Sequence, residues 1–132
     1  METCGKAEGL IDYIVGRYPG VVEIGIGHSP VVAVGLLEKG VKIFATDIRQ
    51  FYYEGLKVID DDITKPDISL YRDIDLIYSI KPPPELVSYM KKTAKSVSAD
   101  LIVKSLASEY LDGQLIRHGN ASFYIWKYHE KD

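Results

Sequence analysis

Val21-Val22-Glu23-Ile24-Gly25-Ile26-Gly27-His28-Ser29-Pro30 decides the fold of this chain. An apolar run ends in an acid and two glycines spaced one apart. Ser29-Pro30 then opens a second apolar stretch, Val31 to Leu37, closed by Glu38-Lys39-Gly40. The pattern predicts a strand, a glycine turn and a helix, the arrangement in which a helix N-terminus turns unpaired N–H groups toward a ligand. Ser29 suits the N-cap, Pro30 the first helical position, and Gly40 a left-handed stop. The helix is apolar on nearly every side, so it is expected to lie buried against a sheet.

Outward from that stretch the chain alternates helices and strands. Lys6 to Tyr18 carries Leu10, Ile11, Ile14 and Val15 at helical spacing and is ended by Pro19-Gly20. Strands are expected at Val21 to Ile24, Val41 to Thr46, Leu56 to Ile59, Ile74 to Ser79 and Leu101 to Lys104, with a helix over Glu85 to Ser96. Gln114 to His118 and Ser122 to His129, joined by Gly119-Asn120, predict an antiparallel hairpin. The result is an α/β, Rossmann-like three-layer sandwich: a mostly parallel sheet, helices on both faces, and a C-terminal hairpin. Trp126 and the hairpin tyrosines are expected to pack the final strand.

Composition bounds the function. The 132 residues suit one domain, with residues 1–19 as its N-terminal helical region. Hydrophobic residues at 46% and charged residues at 27% are those of an ordinary globular protein. A formal charge of -3 gives no general pull toward nucleic acid, and Lys91, Lys92, Lys95 and Arg117 are accounted for by a solvated face. Cys4 is the one cysteine, which excludes an intramolecular disulfide and a cysteine-based metal site; an incidental thiol near a frayed end is expected. No apolar run approaches the roughly 18 residues of a membrane span, and Met1-Glu2-Thr3 lacks the basic start of a signal peptide, so a cytoplasmic protein is expected.

In such a sheet a ligand sits beyond the carboxyl ends of the strands, where strand order reverses. There the first strand delivers Glu23, Gly25, Gly27 and His28, and the second Asp47 and Ile48. The third delivers Asp61, Asp62 and Ile63, and the fourth Ser79, Ile80 and Lys81. Asp47 follows Gly27 by the roughly 20 residues that separate a glycine turn from a ribose-binding carboxylate. A carboxylate accepts from both ribose hydroxyls through charge-assisted bonds, and a second acid after the third strand can accept from an adenine amine. Asp47 can equally cap a helix over Arg49 to Gly55. Three consecutive acids at 60–62 cannot all point one way, so a solvated turn with one functional member is expected rather than a metal cluster. His28 can meet ligand or stand as an exposed loop histidine; Tyr52 and Tyr53 can stack on adenine or pack the rim.

A dinucleotide fingerprint needs a third glycine, where this chain has Pro30, and an apolar residue where it has Glu23. Phosphates also gain nothing from surrounding carboxylates. S-adenosylmethionine fits better: it has no phosphate, carries a sulfonium and an ammonium, and offers ribose and adenine donors to acids. Glu23-x-Gly25-x-Gly27, Asp47 and Asp62-Ile63 resemble the cofactor motifs of class I S-adenosylmethionine-dependent methyltransferases, over most of the chain from Val21. The resemblance implies Glu23 and the glycine turn near the methionine moiety, Asp47 on the ribose, Ile48 against adenine and Asp62 on the adenine amine. Tyr78-Ser79-Ile80-Lys81-Pro82-Pro83-Pro84-Glu85-Leu86 is similar to a small uncharacterised archaeal family regarded as methyltransferase-like, which brings no known acceptor. Methyltransferases acting on amino groups carry Asp or Asn, Pro-Pro and an aromatic after the fourth strand. This chain keeps the prolines without the acid or the aromatic.

Three functions follow in order: a methyltransferase, whose transfer rests on proximity and orientation; a non-catalytic S-adenosylmethionine- or nucleoside-binding module, completed by a protein partner or a second copy; and a nicotinamide-linked oxidoreductase.

Overall fold

A computed structural model describes residues 5–105 and 111–129. Cys4, the first three residues and part of the connection from Lys104 to Gln114 lie outside them. The described elements are α1 (Gly5–Ile14), β1 (Gly20–Ile24), α2 (Val31–Glu38), β2 (Lys42–Asp47), β3 (Lys57–Asp60), β4 (Leu76–Ile80), α3 (Val87–Val97), β5 (Asp100–Lys104), β6 (Gln114–His118) and β7 (Ala121–Trp126). They form one seven-stranded sheet in the order β3-β2-β1-β4-β5-β7-β6. The first five neighbours are parallel, and β7 runs antiparallel to both β5 and β6.

The period-two alternation of a strand sorts the core into two layers. Val21, Tyr78, Ile102 and Phe123 face α1 and α2, where they meet Leu10, Ile14 and Leu36. Their neighbours Val22, Ile77, Leu101 and Val103 face α3 and meet Met90, Ala94 and Tyr71. Strand β1, flanked on both edges and covered on both faces, is therefore apolar almost throughout. Each fully buried Leu or Ile contributes about 1.5–3 kcal/mol relative to exposure. Glu23 is the exception in β1, and it is buried too.

Element ends depart from the sequence pattern in instructive ways. Helix α1 stops at Ile14, and Arg17 closes its end by donating Nη1 to the Tyr13 carbonyl at 2.8 Å. Pro30, not Ser29, occupies the N-cap of α2, with no side-chain cap bond. Pro30 lies at φ -87 and ψ 15, outside helical geometry, which moves the boundary one residue on. Gly40 takes φ 86 as a left-handed stop. No helix forms over 49–55. The chain adds a 3₁₀ turn at Ile68–Tyr71, capped by Asp67 through the Ser69 N–H, and another at Pro84–Leu86 ahead of α3. No described helix is long and apolar enough to cross a membrane.

Candidate functional site

Strand order reverses between β1 and β4: β2 and β3 lie to one side, β5, β7 and β6 to the other. The two chains leaving β1 and β4 thus diverge and leave a crevice above their carboxyl ends. One wall is the glycine turn, the other is the segment Lys81–Pro84.

Gly25 and Gly27 take φ 75 and φ 55, the left-handed region where a side chain is strained. A Cβ at Gly25 would meet nothing within 4 Å, so the turn faces open space. Its amides, however, are not unpaired. Gly25 and Ile26 donate to the Thr46 carbonyl at 2.8 and 3.3 Å, and Gly27 donates to Asp47 Oδ2 at 2.9 Å. The physical reason is register: Ile24 pairs with Thr46, and β2 runs one residue further, so its last carbonyl and carboxylate reach under the turn.

Asp47 is the hub of this wall. It is 7% exposed, and Oδ1 accepts the Arg49 N–H at 3.0 Å while Oδ2 takes Gly27. A carboxylate has about four lone-pair positions, so each oxygen keeps one for a further donor. Its cap on Arg49 is the local bond expected of a helix N-cap, made here without a helix. Ile48 beside it is 67% exposed. Beyond it, the segment 51–53 folds back over the turn. Tyr53 donates its hydroxyl to the Gly27 carbonyl, Phe51 stacks on Tyr53 at 6.3 Å, and exposed His28 meets Phe51 edge-on at 4.9 Å. Arg49 lies over the Phe51 ring, 5.2 Å from its centroid. Tyr52 stands out in solvent. Phe51 was not singled out by the sequence; the only signal for it was its place four residues after Asp47. A cleft of about 490 Å³ lined by Arg49, Gln50, Phe51, Tyr52, Val58 and Asp60 adjoins Asp47, within the size range of small-molecule sites.

Glu23 lies below the turn on the α1–α2 face. Tyr78 donates to its Oε1 at 2.8 Å. Burial pushes its carboxyl up to about 8; the Tyr78 bond opposes that rise, and the charge of Asp47 adds to it. Ser79, also buried, spends its hydroxyl proton on the Ile24 carbonyl at 2.8 Å, tying β4 to the end of β1.

The acids after β3 separate, as three consecutive residues must. Asp61 accepts from the Asp67 N–H at 3.0 Å and the Tyr71 hydroxyl at 2.6 Å, and its own N–H reaches the Asp47 carbonyl. Asp62 is half-buried, and its Oδ1 accepts from the Thr64 N–H and hydroxyl, which holds the carboxyl below its ordinary range. Ile63 turns inward and is buried with Val22, Tyr71 and Met90. The structure therefore gathers Glu23, Gly25, Gly27, Asp47 and Ser79 at the carboxyl ends of β1, β2 and β4, where Gly27 bonds Asp47 and the others bond Tyr78, Thr46 and Ile24. His28 and Ile48 flank this group. Asp62 bonds within its own turn, and Ile63 joins the core.

A family model described as an uncharacterised protein family, UPF0146, matches residues 8–128. The UPF0146 protein of Archaeoglobus fulgidus is 39% identical over 118 residues, 88% of this chain and 91% of the relative. Among solved structures, PigF with SAH has a TM-score of 0.63 at 12% identity, over 93% of this chain and 60% of that one. A SAM dependent methyltransferase from Archaeoglobus fulgidus has a TM-score of 0.57 at 18% identity, over 80% of this chain and 53% of that one. This chain thus spans little more than half the length of those two chains. At such identities the likeness is one of fold, the Rossmann-like fold of class I methyltransferases.

Proposed function

The chain belongs to the UPF0146 family, and from that premise we propose that it binds S-adenosylmethionine in the β1–β4 crevice and transfers its methyl group to a small acceptor. The observation that carries this reading is the bond from the Gly27 N–H to Asp47, which fixes a nearly buried carboxylate with spare lone pairs beside a glycine turn that faces open space. Asp47 would take the ribose hydroxyls and Ile48 one face of the adenine. Glu23, Gly25, Gly27 and His28 would flank the methionine end, with Asp62 on the rim. The cofactor supplies an activated methyl on sulfur; the chain supplies position and orientation, worth up to about 7–11 kcal/mol in favourable systems. We place the activity in a single cytoplasmic domain.

A second reading is favoured by Ser79. Its hydroxyl is buried on the Ile24 carbonyl and is not presented to an acceptor, as a cofactor-binding module completed by a partner or a second copy would allow. Calorimetric titration with S-adenosylmethionine, S-adenosylhomocysteine and NAD tests the binding. Micromolar affinity for the first two and none for NAD is expected; binding of NAD alone, or of none, overturns it. Methyl transfer from labelled cofactor to extract metabolites then separates the enzyme from the module.

A further inference from the structure

Lys81 is the first residue of the wall opposite the glycine turn, and its backbone is left-handed at φ 51. Each other described residue with such a φ is a glycine, apart from Ser98, which caps α3, where that conformation is routine. Lys81 has no helix end to explain it. The residue that follows is Pro82, buried, which further restricts the backbone before it. The strand neighbour holds the geometry: the Lys81 N–H donates to the Lys104 carbonyl at 2.6 Å. A glycine would meet the same backbone demand at no steric cost. A lysine adds only an ammonium, which is exposed and has no hydrogen-bond or ion-pair partner among the described residues. Strain retained around one exposed functional group points from backbone to function.

The charges around the crevice point the same way. The ends of β2 and β3 carry Asp47, Asp60, Asp61 and Asp62, while the ends of β4 and β5 carry Lys81 and Lys104. Lys104 is engaged, its Nζ donating to the Ser122 carbonyl at 2.8 Å, and Arg49 stands on the opposite wall beside Asp47, which leaves Lys81 as the cation offered from the β4–β5 side. A cationic ligand prefers the first side of such a crevice, and an oxyanion the second.

We propose that Lys81 anchors the second ligand of this crevice, and that this ligand carries an oxyanion, a carboxylate or a phosphate. The proposal rests on the methyltransferase reading for the ligand's role as methyl acceptor, though not for the existence of the anion site. A lysine bonds such a group through a charge-assisted contact without fixing its planar geometry, so small acids and phosphate esters share the chemistry.

The test uses the wild-type chain, Lys81→Ala and Lys81→Arg. S-adenosylhomocysteine is titrated calorimetrically into each, and the loaded proteins are then titrated with inorganic pyrophosphate and with citrate. Expected are equal affinities for S-adenosylhomocysteine in all three and wild-type binding of at least one anion. That binding should weaken by about tenfold or more in Lys81→Ala and recover in Lys81→Arg. The better-bound probe identifies the acceptor as a phosphate or a carboxylate. Anion binding that is absent from wild type, or equal in Lys81→Ala, overturns the proposal. Failure of S-adenosylhomocysteine to bind wild type overturns the methyltransferase reading instead; the anion titrations on the unloaded proteins then still decide the role of Lys81.

Discussion

Tyr78 donates its hydroxyl to Glu23 Oε1 at 2.8 Å, joining β4 to β1 between two side chains that are both excluded from water. The pair sets a pH dependence. Below the ordinary glutamate value of 4.5, folded and unfolded chains both hold the proton; from there to about 8, only the folded chain does. The stability contributed by the protonated Glu23 is complete at the acid end and is lost as pH rises through that window, by up to about 1.4 kcal/mol per pH unit. In Glu23→Gln this dependence disappears, while Gln keeps an acceptor for Tyr78. The stability difference between variant and wild type should therefore move in the variant's favour from about pH 5 to about pH 8, as read from urea unfolding. A constant difference would show that Glu23 does not titrate in that window.

Asp47→Ala removes the acceptor of both Gly27 and Arg49 N–H groups along with the proposed ribose contact. S-adenosylhomocysteine affinity should fall by about 1.5–3 kcal/mol, the worth of bonds to a charged group. Asp47→Asn keeps a carbonyl oxygen for Gly27 and should retain more of the fold than of the affinity. Calorimetry beside thermal unfolding separates the two; a folded Asp47→Ala with unchanged affinity sinks the ribose assignment.

Lys81→Gly relieves a left-handed backbone at the cost of a freer unfolded chain, terms of about 1–2 and 0.4–1 kcal/mol. The net is a gain approaching about 1 kcal/mol. Ser98→Gly, at a helix end without a following proline, should gain less. Thermal melts of both variants check the ranking. A Lys81→Gly protein less stable than wild type would mean that the lysine holds the fold rather than a ligand.

Gly9 of α1 faces the β6–β7 hairpin and Gly35 of α2 faces α1, and the two should respond differently to alanine. A Cβ at Gly9 would lie 2.6 Å from the His118 carbonyl and 3.0 Å from the Ala121 nitrogen, both backbone. At Gly35 it would meet the far end of Ile11 at 2.5 Å, which can rotate away. Gly9→Ala should cost about 1–3 kcal/mol; Gly35→Ala should cost less, aided by the better helix propensity of alanine. Equal losses in urea unfolding would contradict this picture of the α1–hairpin contact.

The alternation of strands and helices was legible because β1, β4 and β5 are buried on both faces and read as apolar runs between breakers. The glycine turn was legible because two left-handed positions demanded glycine. What the sequence could not show is where hydrogen bonds go once the strands are in register. The turn's amides looked free, but β2 extends one residue past β1 and takes them at Thr46 and Asp47. Ile63 looked like a rim residue beside Asp62, but the 3₁₀ turn at 68–71 pulls that loop over the core and buries it. The same holds for Phe51 and Tyr53, whose place over Gly27 depends on a loop that belongs to no helix or strand and is pinned by a single Tyr53–Leu56 bridge.

The hairpin places β7 between β5 and β6, and α1 packs on β7: Tyr13 meets Phe123 edge-on at 5.0 Å, and Leu10 and Ile14 share a core layer with Ile125. The apolar face of α1 therefore has no complete partner until residues more than a hundred positions later have been synthesised. Partner contacts so distant in sequence slow folding through loop closure, and a nascent chain halted before β7 would leave that helix face bare and prone to aggregate. Birth on the ribosome is thus the stage at which this small sheet is most vulnerable, and completion of the hairpin is the event that ends it.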